Sequence, residues 1–346
     1  METTDKLDNI SLCEPRVDDC QLWDVFLGIY GYSALLIAHR MKLFAILAKK
    51  PHTLEEICSI LDIKSRPAEA LLVAAVNLGF LRIKDGKYLL MPVAEEYLLE
   101  NSPNYFGYYW DIIIDNHEVY SFASLEKAIC TDTAQAYGGG DVFKSHEENN
   151  ESALKFTRAM HSVSMGSAQA WPKFINLSKY RLLLDVGGGS GAHSIGAVSK
   201  WSKLQATIFD LAPVCTIAQE FIDKYALHER INTYAGDMWN DAFPSADLHF
   251  YSNIYHDWTP EKCLFLTEKS FKSLEQGGRI IVHELLYNDK KNGPFSAVGC
   301  SMLMLGWAEG KQYSGKELSK MMQKVGFKDI QVIPTFGYFS IVTGVK

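Results

Sequence analysis

His256 and Glu284 are of the types, and in the surroundings, that move a proton. His256 lies in Tyr255-His256-Asp257-Trp258, directly after DLHFYSN, a segment that reads as a strand. Glu284 lies inside RIIVHELL, which otherwise suits a buried strand; a carboxylate there is costly unless paired or set at a cavity. Period-two alternation sends His283 to the other side of that strand, so it is the weaker candidate. An imidazole acting as general base needs its far nitrogen held by an acceptor, which Glu284 can supply. A free phenol titrates near ~10 and a free histidine near ~6.5, so full proton transfer before attack would cost roughly 5 kcal/mol. Transfer in step with attack, or a carboxylate that raises the imidazole's pKa, reduces that cost.

The second chemical signal is Asp185-Val-Gly-Gly-Gly-Ser-Gly191, directly after an apolar Leu run. Gly187 and Gly189 permit positive φ and let the backbone approach a ligand without a Cβ in the way. In open α/β sheets ligands occupy the crevice beyond the carboxyl ends of the strands. Dinucleotide enzymes share such loops, so the loop alone does not separate NAD from other nucleotides. The carboxylates at successive strand ends do. Asp185 closes the first strand. Asp210, followed by Leu211, closes the second, where it can accept two ribose hydroxyls. Asp237, Met238 and Trp239 close the third, offering a carboxylate to an adenine amino group and apolar surface to its ring. A pyrophosphate is repelled by a carboxylate at the first turn, whereas a sulfonium with an amino-acid tail is attracted. The pattern points to S-adenosylmethionine (SAM).

These residues need a frame, and the sequence from Arg181 supplies one. Strands alternate with helices, implying an α/β doubly wound, mostly parallel sheet that ends in an antiparallel hairpin of DIQVIP and GYFSIVTGV. The first half differs. Thr53 with Glu56 forms a capping box at the start of a helix. A second helix, RPAEALLVAAVNLG, stops at Gly79, and LRIKDGKYLL is two strands joined through Asp85-Gly86. Helix, turn, helix and hairpin is the winged-helix order. Its second helix carries Arg66 beside Glu69 and little other charge, too few cations to neutralise phosphates, so scaffolding or dimerisation is expected over DNA binding. Domains are expected at 1–100 and 101–346, with 101–180 as linking helices and substrate lid. The aromatic cluster containing Trp110 either packs the core or lines an aromatic pocket. The Gly-rich stretch from Tyr137 to Asn150 is the expected hinge.

Composition bounds the rest. Across 346 residues, 34 Lys+Arg against 41 Asp+Glu give a net charge of −7, which argues against bulk nucleic-acid binding. With 22% charged and 47% hydrophobic residues the chain is neither disordered nor fibrous. Seven scattered cysteines without a C-x-x-C pair read as reduced thiols, and no spacing suggests a metal site. The start lacks a signal-peptide pattern, and the apolar run Val25 to Ala38 is shorter than a membrane span and reads as a buried helix. A cytoplasmic protein with no membrane partner is expected.

At these residues the chain resembles the SAM-dependent small-molecule O-methyltransferases, which include plant caffeate and flavonoid enzymes, acetylserotonin methyltransferases and bacterial polyketide O-methyltransferases. The resemblance runs from about Asp19 to the C-terminus and is carried by LLDVGGGSG, the FDL containing Asp210, GDMW and YHDWTPEKC. It implies a seven-stranded class I (Rossmann-like) methyltransferase sheet with a mainly helical, winged-helix N-terminal domain that forms a homodimer. It implies that His256 deprotonates an acceptor hydroxyl on an aromatic or polyketide-like molecule and that Glu284 orients His256. Asp210 is placed on the ribose, Asp237 and Met238 at adenine, and the glycine loop around the methionine part. Phe156 and Met160 match a helix against the acceptor, with Met302 and Trp307 facing it, positions that would otherwise be ordinary core. Two departures stand out. Gln312 replaces a second glutamate that flanks the histidine in plant members, leaving the base less strongly polarised, and Ser252 replaces a lysine at the cofactor. They fit a bacterial or divergent member rather than a plant phenylpropanoid enzyme. Alternatives are SAM-dependent N- or C-methylation, a SAM-assisted reaction without methyl loss, or a DNA-binding regulator with SAM as effector.

Overall fold

The computed structural model describes residues 14–136 and 150–346; the segment expected as a hinge lies outside them except for Asn150. The chain divides into two compact units, Met1–Ala94 and Glu95–Lys346.

The first unit opens with α1 (Cys20–Arg40) and α2 (Leu43–Lys49), followed by α3 (Leu54–Leu61) and α4 (Ser65–Asn77). Thr53 and Glu56 form the expected reciprocal cap at the start of α3. Strands β1 (Leu81–Lys84) and β2 (Lys87–Leu90) pair antiparallel through Asp85 and Gly86, both at positive φ, as a tight primed turn requires. The expectation that α1 is buried is corrected. Of its residues only Ala38 and His39 are buried, while Leu22, Val25, Phe26, Ile29 and Tyr30 are each more than half exposed. By length and composition α1 could cross a membrane, the one such helix among the described residues, although the uncharged run within it looked too short. Helix α5 (Pro92–Tyr97) spans the boundary between the units.

The second unit adds α6 (Gly107–Asp115), α7 (Phe122–Thr131) and α8 (Asn150–Ala170) before the sheet begins. Its strands are β3 (Leu182–Val186), β4 (Gln205–Asp210), β5 (Ile231–Ala235), β6 (Leu248–Ser252), β7 (Arg279–Leu285), β8 (Lys328–Pro334) and β9 (Phe339–Val345). They lie in the order β5-β4-β3-β6-β7-β9-β8, the first five parallel and β9 antiparallel to both neighbours. Between them run α9 (Ala192–Lys200), α10 (Ala212–Lys224), α11 (Pro260–Ser273), α12 (Phe295–Trp307) and α13 (Gly315–Val325). Alternation along the strands sorts the core into two layers. Leu183, Phe250, Ile281 and Ile341 pack with Ile195 and Val198 of α9. Their neighbours Leu184, Tyr251, Val282 and Val342 pack with Leu266 of α11 and Leu318 of α13. The order reverses beside β3, between β4 and β6, so the loops after these strands diverge and open a crevice at their carboxyl ends.

Candidate active site

Beyond β6 the chain passes through Asn253 at φ 54° into a single 3-10 turn, Tyr255–Asp257, which carries His256. Glu284, near the end of the neighbouring β7, is 1% exposed and reaches this turn with both oxygens. Its Oε1 accepts the backbone N–H groups of Ile254 and Tyr255, each at 3.0 Å, and its Oε2 lies 2.8 Å from Nδ1 of His256. The turn is pinned from outside as well. Tyr313 Oη donates to the Trp258 carbonyl at 2.7 Å, and the Cys263 thiol donates to the Tyr255 carbonyl at 3.2 Å. The ring is therefore held by a buried acid and a rigid turn.

A second carboxylate, overlooked in the sequence, stands on the ring's other side: Asp257 Oδ1 lies 3.5 Å from His256 Nε2. Burial works to lower the imidazole's pKa, but Glu284 and Asp257 outweigh it and push it up to about 9. Burial also pushes the Asp257 carboxyl up to about 7, against the pull of His256. The imidazole is thus strongly polarised although Gln312 stands in place of an acid. The signal for Asp257 was its place beside His256, but adjacency alone does not reveal that a 3-10 turn brings both to one nitrogen.

A cavity of about 640 Å³ gathers most of the expected residues. Asp185, Gly187, Gly189, Asp210, Leu211, Asp237, Met238, Trp239 and Ser252 line it on the sheet side. Phe156, Met160, Trp307 and Gln312 line it together with His256 and Asp257. Phe156 and Trp307 face one another with ring centroids 6.5 Å apart. Two expectations are corrected. Met302 is 40% exposed and does not line the cavity; Leu303 and Met304 of the same helix do. Trp110 is buried edge-on behind Phe106, and it is Phe106 and Tyr109 that reach the cavity wall. Ser252 touches the cavity, but its hydroxyl is shared between His193 Nε2 at 2.9 Å and His283 Nδ1 at 2.8 Å, a buried pair that sequence reasoning did not anticipate.

The sheet side of the cavity fits the cationic nucleoside expected from the strand ends. Gly187, Gly189 and Gly191 all have positive φ, and a Cβ on Gly189 would meet nothing within 4 Å, so the loop presents bare backbone to open space. Asp210 Oδ2 accepts the Gly189 N–H and Oδ1 the Leu211 N–H, each at 2.8 Å, which fixes the carboxylate and leaves lone pairs for two further donors. Asp237 is set by the backbone N–H of Trp239 at 2.8 Å and the Asn240 amide at 2.6 Å. Burial pushes Asp185 up to about 7 and Asp210 up to about 6, despite the hydrogen bond Asp185 accepts from Ser194. Two acids held above the usual carboxylate range favour a ligand that brings positive charge.

Comparison with known proteins agrees with this geometry. A family model described as an O-methyltransferase domain matches residues 122–328. The 3-hydroxy-5-methyl-1-naphthoate 3-O-methyltransferase of Streptomyces sahachiroi is 31% identical over 94% of this chain and 94% of its own length. The tetracenomycin polyketide synthesis 8-O-methyl transferase of Streptomyces glaucescens is 27% identical over 92% of this chain and 94% of its own. Among solved structures, human N-acetylserotonin methyltransferase in complex with SAM superposes with a TM-score of 0.84 at 23% identity, covering 96% of this chain and 99% of that one. The mostly parallel seven-stranded sheet, the glycine loop with its buried acids and the matched domain together make the chain a member of the O-methyltransferase family of SAM-dependent enzymes.

Proposed function

We propose that the protein methylates a hydroxyl of an aromatic or polyketide-like small molecule, with His256 as general base and Glu284 as the residue that positions it. The observation that carries this assignment is His256 on the wall of the cavity that the glycine loop also lines, with the buried Glu284 carboxylate 2.8 Å from its Nδ1. SAM supplies an electrophilic methyl group on a sulfonium. In this proposal Asp210 holds the ribose hydroxyls, Asp237 and Met238 the adenine, and the loop from Gly187 to Gly189 the methionine part. Phe156, Met160 and Trp307 clamp the acceptor's ring and exclude water. His256 takes the hydroxyl proton as the oxygen attacks, and Glu284 stabilises the imidazolium that results. With the imidazole pushed up to about 9 and a phenol near ~10, most of the cost of proton transfer is removed.

Release of S-adenosylhomocysteine (SAH) with phenols, hydroxyquinones and hydroxyindoles tests the activity, and deuteromethyl SAM fixes the atom that receives the label. A product labelled on nitrogen or carbon, or carrying no label, overturns the assignment of the acceptor. We also propose that the unit Met1–Ala94 is a winged-helix dimerisation domain, that the chain acts as a homodimer in the cytoplasm, and that Glu95–Lys346 carries the catalysis. Exposed α1 and the cation-poor α4 support the dimerisation role over DNA binding.

A further inference from the structure

One buried side chain on the cavity wall has chemistry that the mechanism leaves unused. Gln312 is 1% exposed, lines the same cavity as His256, and has no hydrogen-bond partner for either Oε1 or Nε2 among the described residues. Its backbone is fixed against the base's own turn. Two residues before it, a Cβ on Gly310 would fall 2.2 Å from the His256 carbonyl oxygen. One residue after it, Tyr313 donates to the Trp258 carbonyl. The Gln312 N–H itself donates to Ser301 Oγ at 3.4 Å. A buried amide with neither end paired is costly. Held this rigidly beside the base, the amide is placed to meet a ligand.

The neighbouring acids indicate which ligand. His256 and Asp257 on the cavity wall can each accept a hydrogen bond, so the acceptor's hydroxyl protons have partners there already. The Nε2 donors of Gln312 are complementary: they want a ligand oxygen that accepts. A glutamate in this position would add a carboxylate to the cavity that Asp257 already lines and repel such an oxygen, above all a charged one. We propose that Gln312 determines acceptor specificity by donating to a carbonyl or carboxylate oxygen ortho to the reacting hydroxyl, so that hydroxyaryl carbonyl compounds are favoured over catechols and simple phenols. The inference rests on the assignment of His256 as base, because that places the reacting hydroxyl beside Gln312.

The test uses the full chain loaded with SAH and three probes: naphthol, dihydroxynaphthalene with vicinal hydroxyls, and hydroxynaphthoate with its carboxylate ortho to the hydroxyl. Binding is titrated for the wild type, Gln312→Met and Gln312→Glu, and SAH affinity confirms that each variant is folded. The wild type is expected to bind hydroxynaphthoate about tenfold more tightly than naphthol, the value of roughly one hydrogen bond. Gln312→Met should bring the two together, and Gln312→Glu should reverse the order and favour the vicinal diol. Overturning results are a wild type that binds no hydroxynaphthoate or prefers the diol, or a preference that survives in Gln312→Met. Turnover of His256→Ala with SAM, measured beside these titrations, separates the two ideas. Turnover that persists in His256→Ala counts against the base alone, whereas a carbonyl preference insensitive to residue 312 counts against the specificity assignment alone.

Discussion

His256 carries two carboxylates on one ring, Glu284 at Nδ1 and Asp257 at Nε2, and this fixes the direction of its pH response. A general base must be neutral to take a proton, and these acids push the imidazole up to about 9. Turnover should therefore rise with pH through the neutral range and level off near 9, rather than near the ~6.5 of a free histidine. Glu284→Gln removes the nearer acid. Its pH-rate profile should level off at lower pH, and its plateau should also fall, because the ring loses the partner that orients it. A profile for Glu284→Gln that matches the wild type would disprove the positioning role. His256→Ala should lower kcat by roughly 100- to 10,000-fold, the usual worth of a positioned general base, while SAH still binds. The pair was legible because Glu284 is a carboxylate out of place in an apolar strand and His256 directly follows the neighbouring strand at the same sheet edge. Asp257 was not, since its role depends on the turn after β6, and period-two reasoning stops where the strand stops. Ser252 lines the cavity, but the sharing of its hydroxyl by two buried histidines was not legible, because they come from α9 and β7, elements far away in sequence.

At the scale of elements, the glycine loop and the base turn are mechanically joined, and two substitutions should separate their roles. Gly187 has φ 66°, and a Cβ there would fall 2.5 Å from Cδ1 of Ile254, whose backbone N–H donates to Glu284. Gly187→Ala should cost roughly 1–2 kcal/mol of stability for the left-handed backbone, and more for the clash. Because Ile254 has to move, kcat should fall along with it. Gly189, at φ 56°, has nothing within 4 Å of a Cβ, so Gly189→Ala should show the backbone cost without disturbing the base turn, and its Cβ should instead obstruct the nucleoside. Denaturant melts and SAH titrations check both. Weakened SAH binding with a near-normal kcat at saturation is expected for Gly189→Ala, and a lowered kcat at saturation for Gly187→Ala. Equal effects of the two variants on kcat would break the link through Ile254. The sheet itself was readable in outline, down to its closing hairpin, because alternating apolar strands and helices announce themselves in the local pattern. Which face of a helix meets the cavity is harder to read. Helix α12 is apolar around its circumference, so nothing in its own sequence separates Met302, which is exposed, from Met304, which lines the cavity.

For the whole molecule, α1 raises the question of what covers it. Leu22, Val25, Phe26 and Ile29 recur at helical spacing and are each more than half exposed, with Trp23 and Tyr30 beside them. An exposed apolar face of this kind marks an interaction surface. The sequence signalled an apolar helix that needs burial, and only the fold could show that the chain's first unit leaves it open. A second copy of the chain is the occupant proposed for it, since a symmetric partner could cover both copies of the face with the same residues. Phe26→Glu combined with Ile29→Glu places two charges in the centre of the face. On light scattering after gel filtration the wild type should run with the mass of a dimer and the double variant with that of a monomer. The melting temperature of the wild type should rise with protein concentration, and that of the variant should not. A wild type that is monomeric at micromolar concentration but floats with lipid vesicles would transfer the role of α1 to a bilayer. A double variant that remains dimeric would move the interface to another part of the chain.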